Sequence, residues 1–288
     1  MPSGILLIDK PIGITSHDVV AQLRKKLSER KIGHAGTLDP FASGLLLMGV
    51  GSGTKLLHHL FGLDKQYEAT IRLGQSTSTD DLDGEVTTEH SASRITIEQI
   101  QSEIKNLTGL IKQVPSSVSA IKLEGKRAYE LVREGKAVEI PARSVHVYHF
   151  QLISEIRSLD DFIEFDVRVD CSSGTYIRAL ARDMGNALGV GGHLRALRRT
   201  RIGEFSVKEA SSIEGVGSPI PLLAIASKIF QEIPLNQEQA QAIIHGKRIL
   251  LNSSGIVAAS FKGDLLAILE PVGTAYRSFT VFSEAFDG

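Results

Sequence analysis

Two long strand-like segments follow one another in the middle of the chain and restrict the folds that it can adopt. Residues 145–154, VHVYHFQLIS, and residues 162–172, FIEFDVRVDCS, both have the β-branched and aromatic content of strands. Further strands are predicted at residues 4–9 and 65–74, and the elements do not follow a strict strand–helix–strand alternation. We therefore predict an α+β fold with a mixed, largely antiparallel sheet and flanking helices.

Helix signals lie between and after these strands. Ser16 is placed to cap a first helix, and Thr96 with Gln99 has the spacing of a capping box for a second. A third helix is predicted to begin at Thr175. These helices supply the apolar faces that a half-buried sheet needs.

The chain is 288 residues long, which exceeds the usual size of one domain. The pattern of strands and helices loosens over residues 211–234, so we predict a large domain at residues 1–230 and a small β-rich domain at residues 231–288. The small domain is expected to contain a short helix, QEQAQAII, and at least three strands, KRILL (247–251), GIVAASF (255–261) and LLAILEPV (265–272).

Composition and charge exclude several classes of protein. The single cysteine, Cys171, cannot form an intramolecular disulfide and leaves no cysteine zinc site. The formal net charge is −1, without the basic excess that most nucleic-acid-binding domains carry, although Lys and Arg concentrate at residues 24–31 and 195–201. No secretory signal pattern opens the sequence, and the longest apolar run, LLLMGV, is too short to span a bilayer. A cytoplasmic protein is therefore expected.

Common catalytic signatures are also missing. Neither G-x-G-x-x-G nor the P-loop pattern opens a helix after a predicted strand. No histidines have the H-E-x-x-H spacing of a metal site, and FASGLLL does not match the G-x-S-x-G nucleophile elbow. These observations argue against nucleotide binding, metal catalysis and Ser–His–Asp hydrolysis.

Residues 33–44, GHAGTLDPFASG, set one carboxylate between glycines and a proline, and that carboxylate fits two roles. As a structural residue, Asp39 would cap a helix with Pro40 at its first position. As a nucleophile, Asp39 would need a restrained, partly desolvated setting and a nearby cation that keeps it ionised. The glycines permit tight turns and close approach of a substrate, and Arg178 is a distant candidate for the cation. The residues alone leave both roles open.

Five segments match one family in order and spacing. They are GILLIDKPIGITS, GHAGTLDPFASGLLLMGVGSGTK, DKQYEATIRLG, QVPSSVSAIKLEGKRAYELVREG and CSSGTYIRALARDMG. Together they resemble the bacterial TruB family of tRNA pseudouridine synthases over residues 4 to about 205. The G-H-x-G-x-L-D-P-x-A-x-G block is highly specific, and five blocks in the right order make coincidence very improbable.

The resemblance implies an isomerase that converts uridine 55 in the T loop of tRNA to pseudouridine, with no cofactor and no metal. Asp39 matches the family's catalytic aspartate, Tyr67 matches its active-site tyrosine, and Arg178 matches the arginine that pairs with the aspartate. The positions that line the pocket or help to take the base out of its stack correspond to His34, Tyr176 and Leu197. A base stacked in the folded T loop cannot be rearranged in place, so it must be flipped out.

The resemblance also implies RNA contacts outside the pocket. Residues from about 113 to 144 resemble the family's RNA-gripping thumb, in which Lys122, Lys126 and Arg127 are candidate contacts. The carboxyl-terminal residues resemble a small PUA-like RNA-binding domain. The implied partner is the T arm of tRNA, with no membrane and no obligatory protein partner, and a monomer is expected. In one loop, TSTDD, the chain departs from the family's TDTxD pattern at Ser78 and keeps Asp81.

Two other functions remain as alternatives. A non-catalytic RNA-folding or ribosome-assembly factor would bind tRNA without isomerising it. A guide-RNA-dependent synthase in a larger complex is disfavoured by the short carboxyl-terminal part and the lack of basic tails.

Overall fold

The computed structural model describes residues 2–116 and 140–282, together with the backbone of residues 122–123 and 126–127. Its strands are β1 (Gly4–Lys10), β2 (Ile32–Ala35), β3 (Ser43–Val50), β4 (Lys65–Leu73), β5 (Gln75–Thr77), β6 (Val86–Glu89), β7 (Gly109–Gln113), β8 (Lys122–Leu123), β9 (Lys126–Arg127), β10 (Arg143–Leu152), β11 (Arg157–Leu159), β12 (Phe162–Cys171), β13 (Gly192–Ile202), β14 (Phe205–Ser206), β15 (Gln231–Pro234), β16 (Val257–Phe261), β17 (Asp264–Val272) and β18 (Ala275–Val281).

The α-helices of the described residues are α1 (Ser16–Leu27), α2 (Leu57–Phe61), α3 (Ile97–Asn106), α4 (Ile177–Ala187), α5 (Leu222–Ala226) and α6 (Gln237–Ile244), and two 3-10 helices span Gly51–Leu56 and Val207–Glu209. Within this part of the chain, no helix has the length and apolar character needed to cross a membrane.

One large sheet organises the molecule. It has ten strands, with a main path in the order β1–β3–β13–β4–β12–β10–β7. Its pairs are antiparallel except for the contact between β13 and β3, which is parallel. The two long segments that restricted the fold are β10 and β12, and they pair directly with each other. The predicted α+β class with a mixed, largely antiparallel sheet is confirmed.

The alternation of β4 decides which side chains face the interior. Along its nine residues, buried and partly exposed positions alternate. Tyr67 and Ala69 lie on the buried face and join a core that includes Ile100 of α3 and Leu180 of α4. This arrangement brings Tyr67 to the same side of the sheet as α4.

At one edge of the sheet, β7 pairs with β10 so that Gln113 lies opposite Arg143. The chain therefore leaves the sheet at Gln113 and returns to it at the neighbouring position, Arg143. The segment predicted as a thumb begins and ends at this pair, and residues 117–121, 124–125 and 128–139 lie outside the described part.

Two helix caps differ from the predictions. Thr15, not Ser16, caps α1: its hydroxyl accepts a hydrogen bond from Asp18 N at 3.0 Å, and Asp18 Oδ2 accepts one from Thr15 N at 2.8 Å. Asp18 completes a capping box only with Thr15, three residues earlier, and this leaves the Ser16 hydroxyl for another contact. The helix predicted from Thr175 begins at Ile177, because the Thr175 hydroxyl donates to Ser172 O, before the helix. The capping box of Thr96 and Gln99 is confirmed.

A second sheet contains β15, β16, β17 and β18 in that order. The predicted strand at KRILL is wrong, because Ile249 makes only an isolated bridge to Tyr276 and the next residue, Leu250, is 71% exposed. In the KRILL segment, the buried apolar residue Ile249 makes this single bridge and is not part of a strand. Side chains of both sheets, among them Leu45 and Ile268, share one buried cluster. The division into domains at residue 230 stays a prediction.

Candidate active site

A cavity of about 410 Å³ opens where the loop after β2, the beginning of β4 and the beginning of α4 meet. Its lining includes five of the residues singled out from the sequence, namely Asp39, Tyr67, Tyr176, Arg178 and Leu197. These residues come from three strands or loops and one helix that are distant in the chain, so the fold itself assembles the site. A cavity of this size is within the range of small-molecule sites.

The loop that carries Asp39 is fixed on both sides. The Ser16 hydroxyl accepts a hydrogen bond from Leu38 N at 2.9 Å and donates one to Leu38 O at 3.2 Å. On the other side, Gly13 N donates to Pro40 O at 2.8 Å. Gly13 lies between β1 and α1, and Ser16 is the first residue of α1, so the amino-terminal strand–turn–helix unit holds the Asp39 loop in place.

Asp39 caps no helix, so the first of the two roles that the sequence left open does not apply. Its carbonyl accepts a hydrogen bond from Ala42 N at 3.1 Å in a turn, and β3 begins immediately afterwards at Ser43. The short distance along the chain to β3 leaves no room for a helix. The Asp39 carboxylate is thus free of a helix-capping role and lines the cavity with a side chain that is 36% exposed.

Arg178 joins two carboxylates. Its Nε lies 3.1 Å from Asp39 Oδ2, and its Nη1 lies 3.0 Å from Asp81 Oδ2. The same Nη1 donates to Thr79 O at 2.9 Å. Arg178 therefore reaches Asp39 through Nε, while its Nη1 is held by the loop between β5 and β6.

Asp81 is the residue that most clearly extends the predicted site. Its Oδ1 accepts hydrogen bonds from the Thr79 hydroxyl and from Asp83 N, which fixes the carboxylate that faces Arg178. The sequence offered one signal for it, because Asp81 is the acid that the TSTDD loop keeps from the family pattern. Nothing in the sequence showed that this acid would reach Arg178, which is almost a hundred residues away.

The charge state of Asp39 is set by opposing influences. Desolvation in the cavity raises the pKa of its carboxyl group above the usual value, and the nearby Asp81 adds to this increase. Arg178 provides the largest opposing influence, and Lys10 and Arg199 also lower the pKa. The site therefore keeps a carboxylate in a partly dry environment with a direct positive partner.

Arg199 is a second residue that the sequence reasoning missed. It is almost fully buried, and its guanidinium donates to Leu45 O at 2.7 Å and to Gly36 O at 3.2 Å. It is also the register partner of Tyr67 across β13 and β4. The signal was its place two residues after Leu197 on one strand, because alternate residues of a strand share a face.

The backbone beside Arg199 requires a glycine. Gly44 has φ +108°, and a Cβ at that position would lie 2.3 Å from Arg199 O. Only a residue without a side chain permits the parallel approach of β3 to β13 there. Gly44, which belongs to the same sequence block as Asp39, thus allows β13 with Arg199 to approach β3.

The Tyr67 hydroxyl is held in its neutral form. Burial raises the pKa of Tyr67, and the positive charge and hydrogen bonding of Arg199 oppose that increase. Tyr67 therefore presents a flat ring and a protonated hydroxyl to the cavity, with an arginine close to the hydroxyl.

Gln113 holds the beginning of α4. Its Oε1 accepts a hydrogen bond from Tyr176 N at 2.8 Å, and its Nε2 donates to Tyr176 O at 3.0 Å. Tyr176 is the N-cap residue of α4 and makes no capping bond with its own side chain. The buried amide of Gln113 therefore supports Tyr176 at the cavity wall, two residues before Arg178.

Lys65 and Phe61 form another part of the cavity wall. Lys65 Nζ donates to Phe61 O at 2.9 Å and to Leu63 O at 2.5 Å. Burial lowers the pKa of Lys65 to about 8, with the positive charge of Arg199 adding to the decrease. The Phe61 ring is exposed at the cavity and lies 5.9 Å from the same ammonium group.

The remaining predicted residues lie elsewhere. His34 is on β2, outside the lining of the cavity, and its ring meets that of His17 edge-on at 5.5 Å. The side chains of Lys122, Lys126 and Arg127 lie outside the described residues; the backbone there forms the two-residue strands β8 and β9. Over the part of the chain that the structure describes, no group of three or more His, Cys, Asp or Glu side chains is arranged to hold a metal ion.

Comparisons with known proteins point to one family. Residues 24–177 match the family model of the TruB family pseudouridylate synthase (N terminal domain), and residues 178–218 match that of the tRNA pseudouridylate synthase B C-terminal domain. A tRNA pseudouridine synthase B of Leifsonia xyli is 48% identical over 97% of this chain and 96% of its own. The enzyme of the same name from Mycobacterium bovis is 45% identical over 98% and 96%.

Solved structures show the same fold. A chain of a Cbf5-Nop10-Gar1 complex is 25% identical, with a TM-score of 0.69, and the match covers 96% of this chain and 84% of the other. A chain of an H/ACA RNP bound to a substrate RNA containing 2′-deoxyuridine has a TM-score of 0.70 at 24% identity, covering 97% and 84%.

Proposed function

Because the chain belongs to the TruB family of pseudouridine synthases, we propose that it isomerises uridine to pseudouridine in tRNA and acts at position 55 of the T loop. The observation that carries this proposal is the contact of Asp39 with Arg178 in a cavity that also contains Tyr67. No oxidant, metal or second substrate is required, since the reaction rearranges one nucleotide. The glycosidic bond between C1′ and N1 breaks, a bond between C1′ and C5 forms, and the proton on C5 leaves as N1 gains one.

The target nucleotide enters the cavity after it has been flipped out of the T loop. Unstacking costs a few kcal/mol, and stacking against aromatic side chains in the pocket offsets this cost. Tyr67 and Tyr176 offer aromatic rings, and Leu197 offers an apolar side chain, at the cavity wall. These three residues give the base an apolar, flat-sided site in place of its neighbours in the RNA.

Asp39 acts as the ionised carboxylate on the nucleoside. A carboxylate nucleophile is more reactive when little water surrounds it, but the same desolvation favours its protonated form. The contact with Arg178 supports the ionised form without removing the lone pairs of the second carboxylate oxygen. The Asp81 carboxylate in turn keeps the arginine in this position.

Tyr67 serves both as a stacking surface and as the group that moves a proton. Its neutral hydroxyl is suited to exchange a proton with the base during the rearrangement. Arg199, its partner on β13, limits the movement of this strand pair through hydrogen bonds to the backbone of the Asp39 loop. His34 is proposed to act near the entry of the base rather than at the reacting atoms.

The substrate is proposed to be the T arm of tRNA. Lys122, Lys126 and Arg127 contact its phosphates, and the carboxyl-terminal PUA-like domain adds a second RNA contact. Several arginines of the basic stretch at 195–201 are already paired within the protein, such as Arg198 with Asp9 and Arg201 with Asp170. The protein is proposed to act in the cytoplasm as a monomer without an obligatory protein partner.

A tritium-release assay tests this function. A T-arm RNA with tritium at C5 of its uridines is incubated with the protein, because formation of the C1′–C5 bond releases the label to water. The wild type is expected to release one equivalent for each RNA, and an RNA with cytidine at position 55 is expected to release none. The matched variant Asp39→Asn is expected to bind the RNA and release no tritium.

Two results would contradict the proposal. Binding of tRNA by the wild type without release of tritium would favour a non-catalytic RNA-folding factor. Release that continues at the wild-type rate in Asp39→Asn would remove Asp39 from the reaction.

A further inference from the structure

Helix α4 carries two arginines one turn apart, and each meets a different carboxylate of the same loop. Arg178 and Arg182 have the i, i+4 spacing that places side chains on one face of a helix. Asp80 and Asp81 are neighbours in the loop between β5 and β6. Arg178 contacts Asp81 at 3.0 Å, and Arg182 Nη1 contacts Asp80 Oδ2 at 3.1 Å. Two parallel ion pairs therefore connect the helix to the loop.

The second arginine also reaches the edge of the large sheet. Arg182 Nη2 donates to Val114 O at 2.6 Å, and Val114 directly follows β7. The preceding residue, Gln113, holds the backbone of Tyr176 at the beginning of the same helix. Arg182 thus joins three elements, namely α4, the loop of Asp80 and the end of β7.

The backbone of Asp80 separates the two adjacent carboxylates. Asp80 has φ +62°, in the left-handed region that most residues avoid and that Asp and Asn tolerate best among residues with side chains. Its carbonyl accepts a hydrogen bond from Leu194 N at 3.1 Å, which secures this conformation to β13. The turn at Asp80 allows neighbouring residues to meet arginines on successive turns of α4.

We propose that Asp80 and Arg182 are positioning residues, which fix α4 against the loop so that Arg178 lies between Asp39 and Asp81. Neither residue lines the cavity, so both act through Arg178. Two attachments one 5.4 Å turn apart fix both the position and the rotation of α4 relative to this loop. The inference rests on the proposed function, because its consequence is measured on the reaction of Asp39.

The charged groups around Asp39 define what a displacement of Arg178 would do. They are Arg178 of α4, Asp81 of the loop, Lys10 of β1 and Arg199 of β13. Arg178 is the largest influence that lowers the pKa of Asp39, so its displacement raises that pKa. In contrast, the loss of one negative charge nearby, with Arg178 unmoved, shifts the pKa of Asp39 downward or leaves it unchanged.

The variant Asp80→Asn separates these two effects. Asn keeps the shape of Asp and its tolerance of the left-handed conformation, so the change removes the charge and leaves the turn. The matched control is Asp183→Asn, because Asp183 also pairs with Arg182 but belongs to α4 and does not connect it to the loop. Single-turnover tritium release at saturating RNA is measured from pH 4.5 to 9 for both variants and the wild type, together with RNA affinity and melting temperature.

The expected result for Asp80→Asn is a rate about tenfold lower, since small displacements of a catalytic group are costly. The fall in rate at acid pH is expected at a higher pH than in the wild type, with RNA affinity unchanged. Asp183→Asn is expected to match the wild type. Arg182→Gln and the double variant Asp80→Asn/Arg182→Gln are measured in the same way. The double variant is expected to be no slower than the slower single variant, because both substitutions break the connection between α4 and the loop of Asp80.

Three results would overturn the proposal. One is an Asp80→Asn variant that reacts at the wild-type rate and has the same acid limb, that is, the fall in rate at acid pH, as the wild type. Another is a lower melting temperature with an unchanged acid limb, which would assign the pair to stability alone. The third is an acid limb that moves to lower pH, which would mean that Arg178 has not moved. A wild type that releases no tritium would instead contradict the proposed function itself.

Discussion

Arg178 and Asp81 form an ion pair of 3.0 Å in which the two side chains are only 6% and 5% exposed. The removal of one partner from such a pair leaves the other charge buried without full compensation. Arg178 keeps Asp39 and Thr79 O as partners, so the buried charge in Asp81→Asn is only partly uncompensated. The pair therefore belongs to the site as much as to the core.

Asp81→Asn is expected to lose about 1–3 kcal/mol of unfolding free energy and to slow single-turnover tritium release at least tenfold. Urea denaturation and rapid-quench kinetics measure the two effects. Asp83→Asn, at the exposed end of the same loop, serves as the control and is expected to change neither quantity. Full activity of Asp81→Asn would show that Asp39 and Thr79 O are sufficient to orient the arginine.

Asp39→Asn is expected to be at least as stable as the wild type at pH 7. The pKa of Asp39 is raised in the folded state, so the folded protein binds a proton more tightly than the unfolded chain does, and the wild type loses stability as pH rises from about 3.8 through the folded pKa. The variant lacks this loss. The melting temperature of Asp39→Asn is therefore expected to exceed that of the wild type at neutral pH, and this difference is expected to shrink as pH falls toward 4.

Differential scanning calorimetry across this pH range measures the difference between Asp39→Asn and the wild type. A variant less stable than the wild type at pH 7, with no dependence of the difference on pH, would mean that the Asp39 carboxylate stabilises the fold.

Tyr67→Phe is expected to keep RNA affinity and to lose turnover by about 10²- to 10⁴-fold, because the ring remains while the proton-carrying hydroxyl is removed. Filter binding and tritium release measure the two quantities. Tyr148→Phe is the matched control, since Tyr148 lies on β10 and its hydroxyl donates to Asp64 outside the cavity lining. Equal activity of Tyr67→Phe and the wild type would leave Tyr67 with a stacking role only.

The double variant Lys126→Ala/Arg127→Ala is expected to bind tRNA more weakly and with a smaller salt dependence. Each lost phosphate contact lowers the slope of log affinity against log salt by about one unit, so the slope is expected to fall by about two units. The loss of affinity is therefore greatest at low salt. Arg94→Ala/Lys105→Ala removes two exposed charges, one just before α3 and one in it, and provides the control. An unchanged slope would remove Lys126 and Arg127 from the phosphate contacts.

The sequence predicted the sheet and the centre of the site because both depend on local signals. The alternation of β4 and the length of β10 and β12 are visible in the residues themselves, and the block around Asp39 is specific to one family. Arg178 belongs to another family block, and its contact with Asp39 was predicted.

The burial and the partners of the supporting residues could not be predicted from the sequence, for a physical reason. Asp81 and Arg199 are charged residue types that usually lie at the surface, and each is buried here because a residue distant in sequence supplies its partner. Ser16 had a local role as a helix cap that Thr15 takes instead, and its contact with Leu38 depends on the packing of α1 against the Asp39 loop. Such partners are created by the tertiary fold.

The pairing of Gln113 with Arg143 has a consequence for how the protein can be altered. These residues lie opposite each other on adjacent antiparallel strands. The pairing of β7 with β10 therefore does not include the residues between Gln113 and Arg143. Insertions or deletions between them are expected to leave the strand register of β7 and β10 intact. We therefore expect the protein to accept connections of other lengths between β7 and β10 without a change in the positions of Asp39 and Arg178.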